Sequence, residues 1–169
     1  FSTGDAVRVC ANCISFVQGL SGPGLTLVPA CSSALFALHA ACTGFALGRC
    51  DSSFVGGVNM LLSPYPFIGF CAANMLSPTG LCQSFGAGAD GYVRSEGGAM
   101  LLIRPLAAAL KAGDHIYAVI RGGGVNSDGR TAGLSYPGEH AQAALLQTVY
   151  ERAEVTPDQL SFVEAHGTG

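Results

Sequence analysis

Leu25-Thr26-Leu27-Val28-Pro29-Ala30-Cys31-Ser32-Ser33-Ala34-Leu35 opens with a short apolar run of strand character and passes through a proline into a segment that stays apolar to Leu47. The first part fits a buried strand. Ser32 to Leu47 is apolar on nearly every face, which predicts a helix packed between layers rather than one lying on a surface. Cys31 falls at the junction. There its backbone and sulfur lie at the positive end of the predicted helix, where first-turn N–H groups lack intrahelical acceptors, favour a thiolate and can hold an oxyanion.

Outward from that junction, short β-branched and apolar runs alternate with longer apolar or amphipathic segments, the pattern of an α/β fold with a largely buried sheet. Strands are predicted near 25–28, 53–58, 99–103, 116–121 and 160–164. A helix is predicted over about 139–153, where Ala141, Ala144, Leu145, Val149 and Ala153 form one apolar stripe with Glu139, Gln147 and Glu151 off it. Pro137-Gly138 before it and Pro157 after it are suitable punctuation. Residues 63–95, rich in Gly, Ser and Pro, read as a long structured excursion with one short helix near 67–75.

Composition narrows the function classes. With 49% apolar and 11% charged residues in a chain of 169, a core-rich piece is expected. The net charge is −3 and the eight basic residues form no run, so no nucleic-acid partner is expected. No window approaches the roughly 18 unbroken apolar residues of a membrane helix, so no membrane partner is expected either. Seven cysteines, an odd number among apolar neighbours, fit a reducing compartment and hence a cytoplasmic protein. Cys10 and Cys13 have metal or redox spacing, but no second pair or nearby His completes a ligand set, so no metal is expected. The chain starts abruptly at Phe1 and stops inside a Gly-rich motif, which suggests an internal piece of a larger protein.

A second candidate for chemistry is His166, in Glu164-Ala165-His166-Gly167-Thr168-Gly169. Leu25 to Cys31 aligns with Leu160 to His166 at a constant offset, matching at Leu, Val and Ala. A duplicated α/β half in which each copy delivers one catalytic residue from the C-terminal end of a strand would give this pattern.

Six motifs in order then carry a resemblance: Ala30-Cys31-Ser32-Ser33 with Ala37-Leu38-His39 in the following helix, Gly56-Gly57-Val58-Asn59, Met75-Leu76-Ser77-Pro78, Ala89-Asp90-Gly91-Tyr92-Val93-Arg94-Ser95-Glu96-Gly97, Val125-Asn126-Ser127-Asp128-Gly129-Arg130, and the terminal Glu164 to Gly169. Together they resemble the β-ketoacyl synthase domain of type I polyketide synthases and related fatty-acid synthases, over essentially the whole chain. The resemblance implies the thiolase-like fold, two α/β halves in five alternating α-β-α-β-α layers, present here as an incomplete fragment. Residues 1–104 would belong to the N-terminal half with its nucleophile and 105–169 to the start of a truncated C-terminal half. It further implies an acyltransferase within a larger parent, usually a homodimer. Cys31 would accept an acyl chain from an acyl carrier protein, followed by decarboxylative Claisen condensation with a malonyl-type extender. By the same resemblance His166 would donate to the forming enolate oxygen, and Thr168 would hydrogen-bond the pantetheine arm. No cofactor would be bound directly, because phosphopantetheine travels on the carrier protein. The family's second histidine, a lysine and a Gly-Phe-rich loop fall after Gly169, so the 169-residue piece alone is expected to be inactive.

Val28-Pro29 departs from the Asp-Thr pair common before the nucleophile; a proline there is tolerable just outside a helix start. An alternative function is a non-elongating or structural paralogue that binds carrier protein without condensation. A Cys-His hydrolase would need a base hydrogen-bonded to the sulfur and an orienting third group, and the Gly-Thr-Gly tail after His166 together with the family motifs argues against it. His39 reads as a helix-packing residue, and His115 and His140 as solvated. Asp90, Arg94 and Glu96 read as an ion-pair network around the excursion, and Gly122-Gly123-Gly124 as a site of close backbone approach rather than a phosphate cradle.

Overall fold

The computed structural model describes residues 9–133 and 136–168. Its elements, in chain order, are α1 (Val9–Gln18), α2 (Ser33–Ala46) behind a 3-10 turn at Ala30–Ser32, β1 (Ser53–Asn59), α3 (Tyr65–Ala72), β2 (Gly97–Ile103), α4 (Leu106–Ala112) and α5 (Glu139–Ala153), with a second 3-10 turn at Pro157–Gln159. The chain divides into two units, Phe1–Gly56 with Met100–Gln159, and Gly57–Ala99 with Leu160–Gly169.

The helix expected from Ser32 to Leu47 forms as the 3-10 turn and α2, with Leu47 as its C-cap. The helix expected over 139–153 spans those residues, and its stripe is used. A Cβ on Gly122 would meet Ala153 at 3.1 Å, and one on Gly124 would meet Leu145 and Val149 at 2.8 Å. Those glycines therefore let the backbone lie against α5, as the reading of close approach requires. Two side chains fasten the same contact. Asn126 Nδ2 donates to the Ala141 carbonyl at 2.7 Å, and Arg121 to the Ala153 carbonyl at 3.0 Å. Glu154 stops α5 in the left-handed region at φ 52°, with Val155 N–H returning to the Tyr150 carbonyl.

β1 and β2 pair in a two-stranded sheet. The other three predicted strands, 25–28, 116–121 and 160–164, lie outside any ladder among the described residues. The cause is the definition of a strand: apolar character makes a segment fit a sheet, but only a hydrogen-bonded neighbour makes it one. α1 and α4 have no counterpart among the expected elements. α4 has its signals, Pro105 as N-cap and Gly113 at φ 73° as C-cap, around only seven residues, too few for a periodic pattern to show.

Burial corrects one expectation. Among the described residues only Val55, Ala109 and Ala153 are buried, and α2, read as a helix between layers, has none; Leu35 in its first turn is 69% exposed. The accessible surface is 13262 Å², against roughly 7,800 Å² for a compact monomer of 17.1 kDa. The apolar faces are present, but the described residues supply too few opposing faces to cover them.

The excursion is structured, as expected. Within it lie α3, entered through Pro64 and Pro66, and an isolated parallel bridge between Leu76 and Tyr92. Gly91, at φ 136°, makes this bridge possible: a Cβ there would stand 2.5 Å from the Ser77 nitrogen.

Candidate active site

Cys31 is an exposed free thiol in the middle of the 3-10 turn that feeds α2. The residue before it, Ala30, sits at φ 62°, in the left-handed region where a Cβ costs roughly 1–2 kcal/mol. The two serines after it behave unusually for a helix start. A serine here commonly accepts from first-turn N–H groups, yet no side-chain cap forms, and both hydroxyls point backwards as donors. Ser32 Oγ donates to the Pro29 carbonyl at 3.2 Å and Ser33 Oγ to the Ala30 carbonyl. The serines thereby pin the left-handed turn and leave the first-turn N–H groups of α2 without side-chain acceptors. The Ser33 N–H returns to the Ala30 carbonyl, and the N–H groups after it meet no side-chain cap at the positive end of a 14-residue helix.

Of the other cysteines, Cys10, Cys13, Cys71 and Cys82 are exposed like Cys31, and only Cys42 and Cys50 are partly covered. Cys42, further along α2, is half-buried, and desolvation pushes its thiol above the ordinary value. All seven cysteines are free, and Cys10 and Cys13 are exposed on α1. Among the described residues no cluster of three or more His, Cys, Asp or Glu side chains could hold a metal, and no helix is long and apolar enough to cross a membrane.

Thr168 is exposed and His166 sits beside it on the same segment; both belong to the unit Gly57–Ala99 with Leu160–Gly169, whereas Cys31 belongs to the other. Between them Gly167 takes φ 56° and its carbonyl accepts from Ser84 Oγ. Sequence reading named the histidine, the glycine and the threonine but not Ser84. Nothing local links a serine to a backbone carbonyl 83 positions away.

The acidic and basic residues of the excursion are arranged otherwise than expected. Asp90 accepts from Thr79 Oγ1 at 3.1 Å, and Glu96 Oε1 accepts from the Leu61 N–H at 2.7 Å. Arg94 lies over the rings of Phe70 and Phe67, at 4.7 and 5.4 Å from their centroids. Each group thus finds a neutral partner. Among the described residues the one ion pair is Arg104–Asp114, at 2.7 Å. In place of the predicted network, Asp90 takes a side-chain hydroxyl, Glu96 a backbone N–H, and Arg94 the Phe67 and Phe70 rings of α3. His39 lines a cavity of about 280 Å³ with Gly124, Asn126, Thr148 and Arg152, while His115 and His140 are exposed or nearly so, as expected.

An exposed cysteine at a strained turn into a helix and a histidine followed by Gly167 and Thr168 make up the candidate site, and comparisons with known proteins give its family. Residues 1–109 match the family described as Beta-ketoacyl synthase, N-terminal domain, and residues 117–169 match Beta-ketoacyl synthase, C-terminal domain. The chain belongs to the β-ketoacyl synthase family. It is 45% identical over its full length to Polyketide synthase ThaG of Burkholderia thailandensis, and 48% identical over 99% of its length to Highly reducing polyketide synthase ausV of Aspergillus calidoustus. It covers 3% and 7% of those proteins.

Among solved structures, 97% of the chain superposes on an oxazolomycin ketosynthase domain of Streptomyces albus, OzmH KS7, with a TM-score of 0.95 and 39% identity. A ketosynthase from module 6 of the bacillaene synthase of Bacillus subtilis gives a TM-score of 0.95 at 37% identity over 98% of the chain. The chain spans 29% and 30% of those two domains. The fold is therefore the thiolase-like one, seen in part.

Proposed function

We propose that the domain containing this chain is a condensing acyltransferase of polyketide biosynthesis. In the first half-reaction the Cys31 sulfur, as thiolate, attacks the carbonyl of an acyl thioester carried on the phosphopantetheine arm of an acyl carrier protein. The new thioester forms at Cys31 as the pantetheine C–S bond breaks, and the departing pantetheine thiolate takes up the proton that Cys31 gave up on ionising. In the second, a malonyl-type thioester loses CO2, the electron pair of the broken C–C bond becoming an enolate. The enolate carbon attacks the acyl-Cys31 carbonyl, a C–C bond forms, and the Cys31 thiolate is released.

The observation that carries this reading is the Cys31 turn. An exposed thiol, held behind a left-handed alanine at an uncapped helix start, has the access a bulky thioester needs and N–H donors for the charge that develops on its carbonyl oxygen. His166, on its Gly-rich segment, is assigned as a donor to the enolate oxygen, and Thr168 as a partner of the pantetheine arm. Seven free thiols are compatible with a reducing compartment. The parent is proposed to act as a homodimer.

The test uses the full ketosynthase domain with acyl- and malonyl-carrier proteins. Mass spectrometry should place the acyl group on Cys31, and β-ketoacyl product should appear. Acylation without product would identify a non-elongating paralogue instead, and acylation at another cysteine would remove Cys31 from the reaction.

A further inference from the structure

Gln83 to Gly86 forms a tight turn, closed by the Gly86 N–H on the Gln83 carbonyl at 2.8 Å. Its third residue, Phe85, has φ 63°, unusual for a bulky side chain, and it is 87% exposed. A conformation that costs on the order of 1–3 kcal/mol is maintained with little burial in return. The turn's remote contacts lead to Gly167. Ser84 Oγ donates to the Gly167 carbonyl, and a Cβ on Gly167 would lie 3.6 Å from Ser84 Cβ and 3.7 Å from the Phe85 ring. Gly167 is itself left-handed, at φ 56°.

From this we propose that the Ser84–Phe85 turn is a positioning element for the segment His166–Thr168. The hydroxyl fixes the Gly167 carbonyl, and with it the peptide plane that follows Gly167 and leads into Thr168. The Phe85 ring covers the open side of Gly167, so that the chain cannot relax toward the right-handed region. Since the ψ of His166 and the φ of Gly167 flank one peptide, holding Gly167 fixes the direction from which the imidazole leaves the chain. Misplacing a donor by about 1 Å can cost on the order of 100-fold in rate, so a tether of this kind acts on chemistry without touching substrate.

The proposal rests on the assignment of His166 to enolate stabilisation, and the experiment keeps the two apart by measuring Cys31 acylation and malonyl decarboxylation separately in the full ketosynthase domain. Ser84→Ala is expected to slow CO2 release by about tenfold or more while Cys31 acylation stays within about twofold of the parent. Ser84→Thr, which retains the hydroxyl, is expected to restore CO2 release. Phe85→Ala should show a smaller loss in the same step. If Ser84→Ala releases CO2 at the parental rate, or if Ser84→Ala and Ser84→Thr slow acylation and decarboxylation in equal proportion, the turn is structural only and the proposal is overturned. If His166→Ala in the otherwise unaltered domain releases CO2 normally, the assignment of His166 fails instead.

Discussion

The turn around Cys31 and the segment around His166 each place a left-handed residue beside a candidate catalytic side chain, Ala30 on one side and Gly167 on the other. They differ in what holds that residue. At Cys31 the restraint is local: Ser32 and Ser33 reach carbonyls three positions back, and α2 continues the chain directly. At His166 it is remote, supplied by Ser84 and Phe85 from the far end of the excursion. The local turn tolerates an alanine because its own neighbours enforce the geometry. The remote one uses glycine, which occupies the same region without Cβ strain and so needs only a single hydrogen bond and a ring to fix it.

The sharpest way to break this contrast is at the nucleophile. In the full domain, Cys31→Ala should reduce acyl transfer to background, read by the mass of the protein after incubation with acyl-carrier protein. Residual acylation of the variant would mean that another thiol does the work. A β-branched residue at the local turn is the next strongest perturbation. Ala30→Val should lower stability by about 1–3 kcal/mol in denaturant titration and slow acylation, because a β-branched side chain at φ 62° is a genuine outlier. Ala30→Gly should leave acylation intact; a large loss there would show that the alanine methyl, not the turn, is what matters.

At the remote segment, Gly167→Ala has room for its methyl but meets the left-handed penalty, so a loss of about 1–2 kcal/mol is expected, with decarboxylation affected more than acylation. Equal effects on both steps would erase the distinction between the two regions. The smallest effect concerns thiol reactivity. Burial raises the Cys42 pKa, so its thiolate appears only as pH climbs past the ordinary thiol range, and alkylation at mildly alkaline pH should reach Cys31 well before Cys42. The same shift sets a sign for stability. The folded state binds the Cys42 proton more tightly than the unfolded chain, so this contribution is fully present below the unfolded-state value and disappears as pH rises through the folded one. A Cys42→Ala variant should therefore show a shallower loss of stability at alkaline pH.

What could be read from the sequence follows the same division. The helix from Ser32 to Leu47, the bounds of α5 and the close approach of Gly122 and Gly124 all depend on residues near one another in the chain or on a strong periodic stripe, and each is legible, whereas the 3-10 turn at Ala30–Ser32 is not. The pairing of Asp90 with Thr79 and Arg94 over Phe67 and Phe70 depend on how the excursion folds back on itself, and Ser84 on a contact with Gly167 outside it; composition encodes neither. The strands at 25–28, 116–121 and 160–164 illustrate the limit from the other side. Their residues suit a sheet, but ladder formation belongs to the neighbours and not to the segment. The expected ion-pair network failed because charge alone was counted, while the aromatic rings of α3 competed for the same guanidinium.

The alternation of the two units along the chain has a consequence for synthesis. Neither unit is continuous: the first is resumed at Met100 after an interruption of 43 residues, Gly57–Ala99, and the second is completed only from Leu160 onward. α2 ends at Ala46, with no residue buried, well before the stretch 100–159 that shares its unit has been translated. At roughly 5–20 residues per second, that apolar helix leaves the ribosome on the order of ten seconds ahead of its own partners. Its apolar side chains stay uncovered over that interval. Codon changes that slow translation between 57 and 99 should lower the yield of folded protein more than the same changes placed after 160.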